Sequence, residues 1–218
     1  MLRLKIYATA IMLAMMMVET AVGLPGQGQA CATTTPLLSE HTAVNRRDTI
    51  PIMPRSSWRA QPARPFKQHV PVQITVHHEG GKLLTPSDDA KQRLNNIQRW
   101  CMGPDRNWAD IPYHLLIAAD GTVYEGRNPL TVGETNTEYD PTGHLLICFL
   151  GNYNEQKLDE KLLQVLIDLL VDSCIKYGIS PEEISTHRDH SQQTACPGAN
   201  IYTYFKSGYV VDQVKARM

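Results

Sequence analysis

His187 and Cys196 stand nine positions apart in Ile-Ser-Thr-His-Arg-Asp-His-Ser-Gln-Gln-Thr-Ala-Cys-Pro-Gly, residues 184–198. An imidazole and a thiolate are preferred zinc ligands, and carrying both on one polar loop lowers the entropy of assembling a site. A catalytic zinc takes a third protein ligand and keeps a fourth position open for water. The candidates for the third lie far upstream in Ile74-Thr75-Val76-His77-His78, where an apolar run ends in a histidine pair. Side chains alternate along a strand, so His77 and His78 face opposite ways and only one coordinates. Residue types alone do not choose between them.

These residues need a scaffold. Val72–His77 has the composition of a strand, and Glu79-Gly80-Gly81 permits a sharp exit from it. A helix is expected from Thr85, with Pro86 in the first turn and Ala90, Leu94, Ile97 and Cys101 on one apolar stripe. Ile111–Ile117 and Thr122–Glu125 form a hairpin about Asp120-Gly121. Residues 126–143 are irregular and long enough to supply a wall of a binding cleft. His144–Leu150 reads as a strand covered on both faces, Leu158–Tyr177 as an amphipathic helix, and Ala199–Lys206 as a last helical stretch. Strands and helices alternate, so the fold class is α/β: a single domain with a central mixed β-sheet flanked by helices.

Composition narrows the function. Hydrophobic residues make up 42% of 218, enough for a core and too many for global disorder. Lys+Arg 21 against Asp+Glu 22 gives a formal charge of -1, which supplies no bulk grip on nucleic acid or an anionic membrane. Arg3 and Lys5 precede the apolar run Ile6–Val18, which Glu19 ends too early for a membrane span. Residues 1–23 are therefore expected to be a cleaved secretory signal, leaving no stable membrane insertion, with 24–50 a linker or N-terminal arm and 51–218 the domain. Export places the five cysteines in an oxidising setting. With Cys196 on a metal, Cys31, Cys101, Cys148 and Cys174 allow three pairings as two disulfides. For Cys148 and Cys174, on apolar faces, burial as small hydrophobes competes with bridging.

Four blocks occur in order: His77-His78; Tyr113-His114-Leu115-Leu116-Ile117 with Asp120–Arg127; Phe149-Leu150-Gly151-Asn152-Tyr153; and His187-Arg188-Asp189 with Thr194-Ala195-Cys196-Pro197-Gly198. Together they resemble the type 2 N-acetylmuramoyl-L-alanine amidases, a family that includes the peptidoglycan recognition proteins and phage amidases. The resemblance covers roughly 51–208. It implies that fold, and that His77, His187 and Cys196 bind one zinc ion. It also implies that Tyr113 and Thr194 assist catalysis, and that His78, Arg127 and Asn128 line the substrate cleft. The spacing from His187 to Cys196 is one residue longer than usual in that family, which a bulge within Ser191-Gln192-Gln193 accommodates. The alternative of His190 replacing His187 would lose the His-Arg-Asp start. The cysteine pair that many animal recognition proteins carry after the histidines is absent.

The implied reaction is zinc-dependent hydrolysis of the amide between N-acetylmuramic acid and L-alanine in peptidoglycan or muropeptides, by a secreted monomer. A receptor of the same fold that binds peptidoglycan without cutting it is the rival. A zinc peptidase of another fold would place a glutamate base within a helical His motif, and none is present. Glu79, two residues past His77, is a nearby carboxylate to which the resemblance gives no catalytic part. His69, His114 and His144 read as structural.

Overall fold

Six short strands form one mixed sheet in the computed structural model, which describes residues 49–218. In chain order they are β1 (Ile52–Met53), β2 (Gln73–His78), β3 (Leu115–Ile117), β4 (Val123–Glu125), β5 (His144–Phe149) and β6 (Ile184–Thr186). Their spatial order is β1-β4-β3-β5-β2-β6. Only β3 and β4 run antiparallel, as the hairpin expected about Asp120-Gly121. The other neighbours are parallel, with His77 opposite Cys148 and Thr186 opposite Val76.

Helices cover both faces, as the alternating elements require. They are α1 (Ala90–Cys101), α2 (Glu160–Tyr177), α3 (His187–His190), α4 (Ala199–Lys206) and α5 (Tyr209–Lys215). On one face Ile74, Val76, Leu145, Ile147 and Phe149 pack against α2, α4 and α5. On the other, Leu116, Cys148 and Leu150 meet Leu94, Ile97 and Cys101 of α1, together with Trp58. β5 is buried along its whole length, as its unbroken apolar sequence anticipates.

The helices show why these segments fold as they do. Asp159 Oδ1 accepts the Leu162 N–H at 2.8 Å and caps α2, and Gly178 closes it at φ 66° in the left-handed region. Between the caps α2 buries Leu162, Leu163, Leu166, Ile167, Leu169, Leu170 and Val171, each contributing roughly 1.5–3 kcal/mol by removal from water. α1 begins later than the Thr85-Pro86 signal suggests. Thr85 and Asp88 instead close a tight turn, the Asp88 N–H donating to the Thr85 carbonyl and its Oδ2 accepting from Thr85 N–H and O–H. Asp89 then caps the helix through the Gln92 N–H at 3.0 Å.

β1, β6 and α5 extend the architecture beyond the sequence expectation. β6 matters most for chemistry, because it puts His187 at the end of a strand next to β2 and not on a free loop. Cys101, Cys148, Cys174 and Cys196 are buried and unbridged. Cys31 and residues 1–23, the expected signal, lie outside the described residues. Among the described residues no helix is long and apolar enough to cross a membrane.

Candidate metal centre and cleft

β2 and β6 deliver two imidazoles to one point. His77 is the fifth residue of β2, on the face opposite Ile74 and Val76, and is 3% exposed. Thr186 ends β6 and starts α3, its Oγ1 and N–H both donating to Asp189 Oδ2, at 2.6 and 2.8 Å. That turn fixes His187, whose ring centroid lies 4.6 Å from that of His77. The loop after α3 returns Cys196 to the same place, held by its N–H to Thr194 Oγ1 at 3.0 Å and by the Arg188 N–H to its carbonyl at 3.0 Å. Ligands at the carboxyl ends of parallel strands are the general arrangement of open α/β sheets.

One ligand atom each from His77, His187 and Cys196 fits within 4.8 Å of the others, and all three residues are buried. Cys196 Sγ lies 3.6 Å from His77 Nδ1. A sulfur at about 2.3 Å and a nitrogen at about 2.05 Å from one tetrahedral zinc are themselves about 3.6 Å apart. The two atoms therefore already span a zinc chord. His77 Nε2 is buried without a hydrogen-bond partner. Burial, then His187, holds His77 well below the usual imidazole range; burial holds His187 down to about 4 and pushes the Cys196 thiol up to about 12. Three groups kept neutral by enclosure, two with lone pairs and one with a proton to lose, suit a bound cation. The His78 N–H, 3.3 Å from Cys196 Sγ, would favour the thiolate. His190 belongs to another contact: its Nε2 is 2.6 Å from Ser185 Oγ, and its ring stacks on Tyr139.

The cluster opens into a cavity of about 280 Å³ lined also by His78, Glu79, Trp108, Tyr113, residues 134–137 and Thr194. Through Glu79, Gly80, Trp108, Pro112, Tyr113 and Asn136 it shares walls with a cleft of about 620 Å³ that runs along α1 to Trp100 and Arg106. Tyr113 sits on this shared wall, its ring 5.3 Å from His77. Burial, reinforced by the surrounding thiols of Cys148, Cys196 and Cys101, raises its phenol well above the usual range, so it stays a hydrogen-bond donor. The irregular stretch 126–143 contributes Glu134, Thr135, Asn136 and Thr137 to the wall.

Glu79 is engaged elsewhere. Both its oxygens meet Arg93, with Nε to Oε2 at 3.1 Å, so it is a poor proton acceptor. His78 lines the cavity, but its Nδ1 accepts the Tyr153 N–H at 3.0 Å and braces the chain after β5. Arg127 and Asn128 stand apart from the ligands and line neither cavity beside them. After β4 the chain folds back, Gly126 N–H to the His114 carbonyl and Arg127 N–H to that of Tyr113. This sends the Arg127 guanidinium inward to the carbonyls of Asp110, Ile111 and Val132 and to Glu134. Arg127 is 1% exposed and braces the loop that bears Tyr113. Asn128 borders a different cavity, with Arg55, Leu169 and Lys176.

Comparison with known proteins agrees with this architecture. The model of the family described as N-acetylmuramoyl-L-alanine amidase matches residues 67–199, a span that includes His77, His187 and Cys196. The chain belongs to that family. Among relatives, Mus musculus peptidoglycan recognition protein 1 is 30% identical over 161 residues, covering 72% of this chain and 86% of that protein. The solved human PGRP-IBETAC, in complex with glycosamyl muramyl pentapeptide, is 25% identical with a TM-score of 0.63, covering 72% of this chain and 94% of the other. The N-acetylmuramoyl-L-alanine amidase LysC from Clostridium intestinale is 28% identical with a TM-score of 0.58, covering 78% and 97%. The amidase family thus holds both hydrolases and recognition proteins, and the six-stranded sheet described above is its fold.

Proposed function

We propose that this protein is a secreted, zinc-dependent N-acetylmuramoyl-L-alanine amidase that acts on peptidoglycan or its muropeptides. The observation that carries the reading is the convergence of His77, His187 and Cys196 at the closed end of an open cleft, beside Tyr113 and Thr194. A related protein of the same fold binds a muramyl pentapeptide and another is an amidase, which supports this substrate class and this bond. Arg3, Lys5 and the apolar run after them support export.

Hydrolysis adds water across the amide, giving the lactyl carboxylate and the free amine of L-alanine. Zinc held by two imidazoles and a thiolate supplies Lewis acidity and lowers the pKa of water to about 7. The chain's own residues do the rest. Tyr113 O–H donates to the carbonyl oxygen as that oxygen gains charge, and Thr194 O–H orients the same oxygen or the water. The cleft along α1 holds the stem peptide in line with the cluster and limits access of bulk water.

Metal-loaded protein incubated with purified sacculi should release free stem peptide, detected by mass spectrometry. Binding to sacculi with no release over hours would sink the amidase reading and leave a receptor.

A further inference from the structure

The wall segment 135–138 touches the short helix α3 at both ends. Thr137 Oγ1 lies 2.8 Å from His187 Nε2. Ser191 O–H, one residue past α3, donates to Glu138 Oε2 at 2.7 Å. Ser191 lies in the longer stretch between His187 and Cys196, and its Oγ also accepts the Gln193 N–H at 3.1 Å. Tyr139 then lays its ring 5.2 Å from that of His187. One side chain of this strap reaches a ring nitrogen of a ligand.

Thr137 also bonds within its own segment. Its N–H donates to Thr135 Oγ1 at 3.2 Å, and the two hydroxyl oxygens are 3.0 Å apart. Either hydroxyl can donate to the other; when the Thr137 O–H donates to Thr135 Oγ1, Thr137 Oγ1 is left to accept from His187. In that arrangement the proton of neutral His187 rests on Nε2, and the lone pair on Nδ1. Ligating histidines are tuned through the second ring nitrogen in this way.

Building on the zinc reading, we propose that Thr137 is a positioning residue that fixes the tautomer and ring angle of His187, presenting Nδ1 to the metal. Glu138 anchors the same strap by accepting from Ser191 O–H, at the start of the longer loop. A threonine 50 residues from His187 in sequence thereby sets metal affinity without touching the metal.

Zinc affinity measured by chelator competition tests this, with Thr137→Val and Thr137→Ser beside the wild type. T137V keeps the shape and loses the hydroxyl; it should bind zinc about 10- to 100-fold more weakly. T137S should recover most of that loss, and the metal-free variants should unfold within a few degrees of wild type. In metal-free wild type, nitrogen-15 NMR of labelled histidine should show the His187 proton on Nε2. Finding it on Nδ1 overturns the proposal without recourse to any variant. T137V as tight as a zinc-binding wild type, or T137S as weak as T137V, overturns the role of Thr137 alone. Wild type that takes up no zinc overturns the metal reading, and the role of Thr137 with it.

Discussion

Acidifying the metal-free protein isolates what one buried histidine, His114, contributes to the sheet. Its backbone N–H donates to the Leu146 carbonyl at 2.9 Å, its Nδ1 accepts the Leu146 N–H at 2.8 Å, and its Nε2 donates to the Thr131 carbonyl at 2.9 Å. The ring thus adds a rung to the β3–β5 ladder, and only the neutral form fits, because a proton on Nδ1 would face the Leu146 N–H. Burial, outweighing the Thr131 carbonyl, holds its pKa down to about 3 against an ordinary 6.5. Between those values the unfolded chain binds a proton that the folded chain refuses. Stability is therefore full above pH 6.5 and is lost as pH falls toward 3. At about 1.4 kcal/mol per pH unit, going from pH 6.5 to 4.5 removes about 2–3 kcal/mol through His114 alone. Denaturant unfolding with chelator present, on wild type and His114→Gln, measures it. H114Q should be weaker at pH 7 by roughly 1–3 kcal/mol for its disturbed hydrogen bonds, yet lose about 2–3 kcal/mol less on acidification. Buried histidines that do not interact with His114 are common to both proteins and cancel, while His69 and His77 carry a smaller coupled effect. Parallel pH dependences would refute the reasoning.

Tyr113→Phe should lower the rate of stem-peptide release by roughly 100-fold or more while leaving zinc content at wild-type level, as metal analysis and a turnover assay can show. Cys196→Ser should lose both metal and cleavage, and chelator should abolish cleavage by the wild type; full activity in either case contradicts the zinc assignment. His187→Ala should abolish zinc binding and His190→Ala should leave it within a few-fold, read by the same chelator competition. Gly126→Ala places a methyl against the Tyr113 carbonyl and the Leu116 side chain. It should reduce both the thermal midpoint and turnover, and an unchanged midpoint would show that this backbone approach tolerates more room than it displays.

Long periodic segments were legible because many residues repeat one statement. α2 carries an apolar face over five turns, and α4 is bounded by Gly198 and Ser207 just where its pattern begins and ends. β6 hid because three residues, Ile184-Ser185-Thr186, are too few to show alternation, and β1 has only two. Residue types left His77 and His78 open and the family resemblance chose His77, and the structure supplies what the sequence lacks: one face of β2 for His77 and a strand end for His187. Arg127 shows what a sequence leaves out. The resemblance placed it in the cleft, and only the fold reveals three carbonyls converging on its guanidinium. The contact between Thr137 and His187 carries no sequence signature, since a hydroxyl residue in an irregular loop matches no period.

The sheet order has a consequence for how the molecule is made. β2 lies between β5 and β6, so one long edge of it stays bare until β6 has been synthesised. Cys196 follows His77 by 119 residues, which is roughly 6–24 s of translation at about 5–20 residues per second. Until β6 and His187 follow, about 110 residues after His77, that residue has neither candidate partner, and the edge of β2 offers unpaired backbone to any passing strand. Assembly of the candidate site and closure of the sheet edge thus both wait for residues 184–196. A nascent chain cut short before Ile184 would lack both the site and the cover of its most adhesive strand.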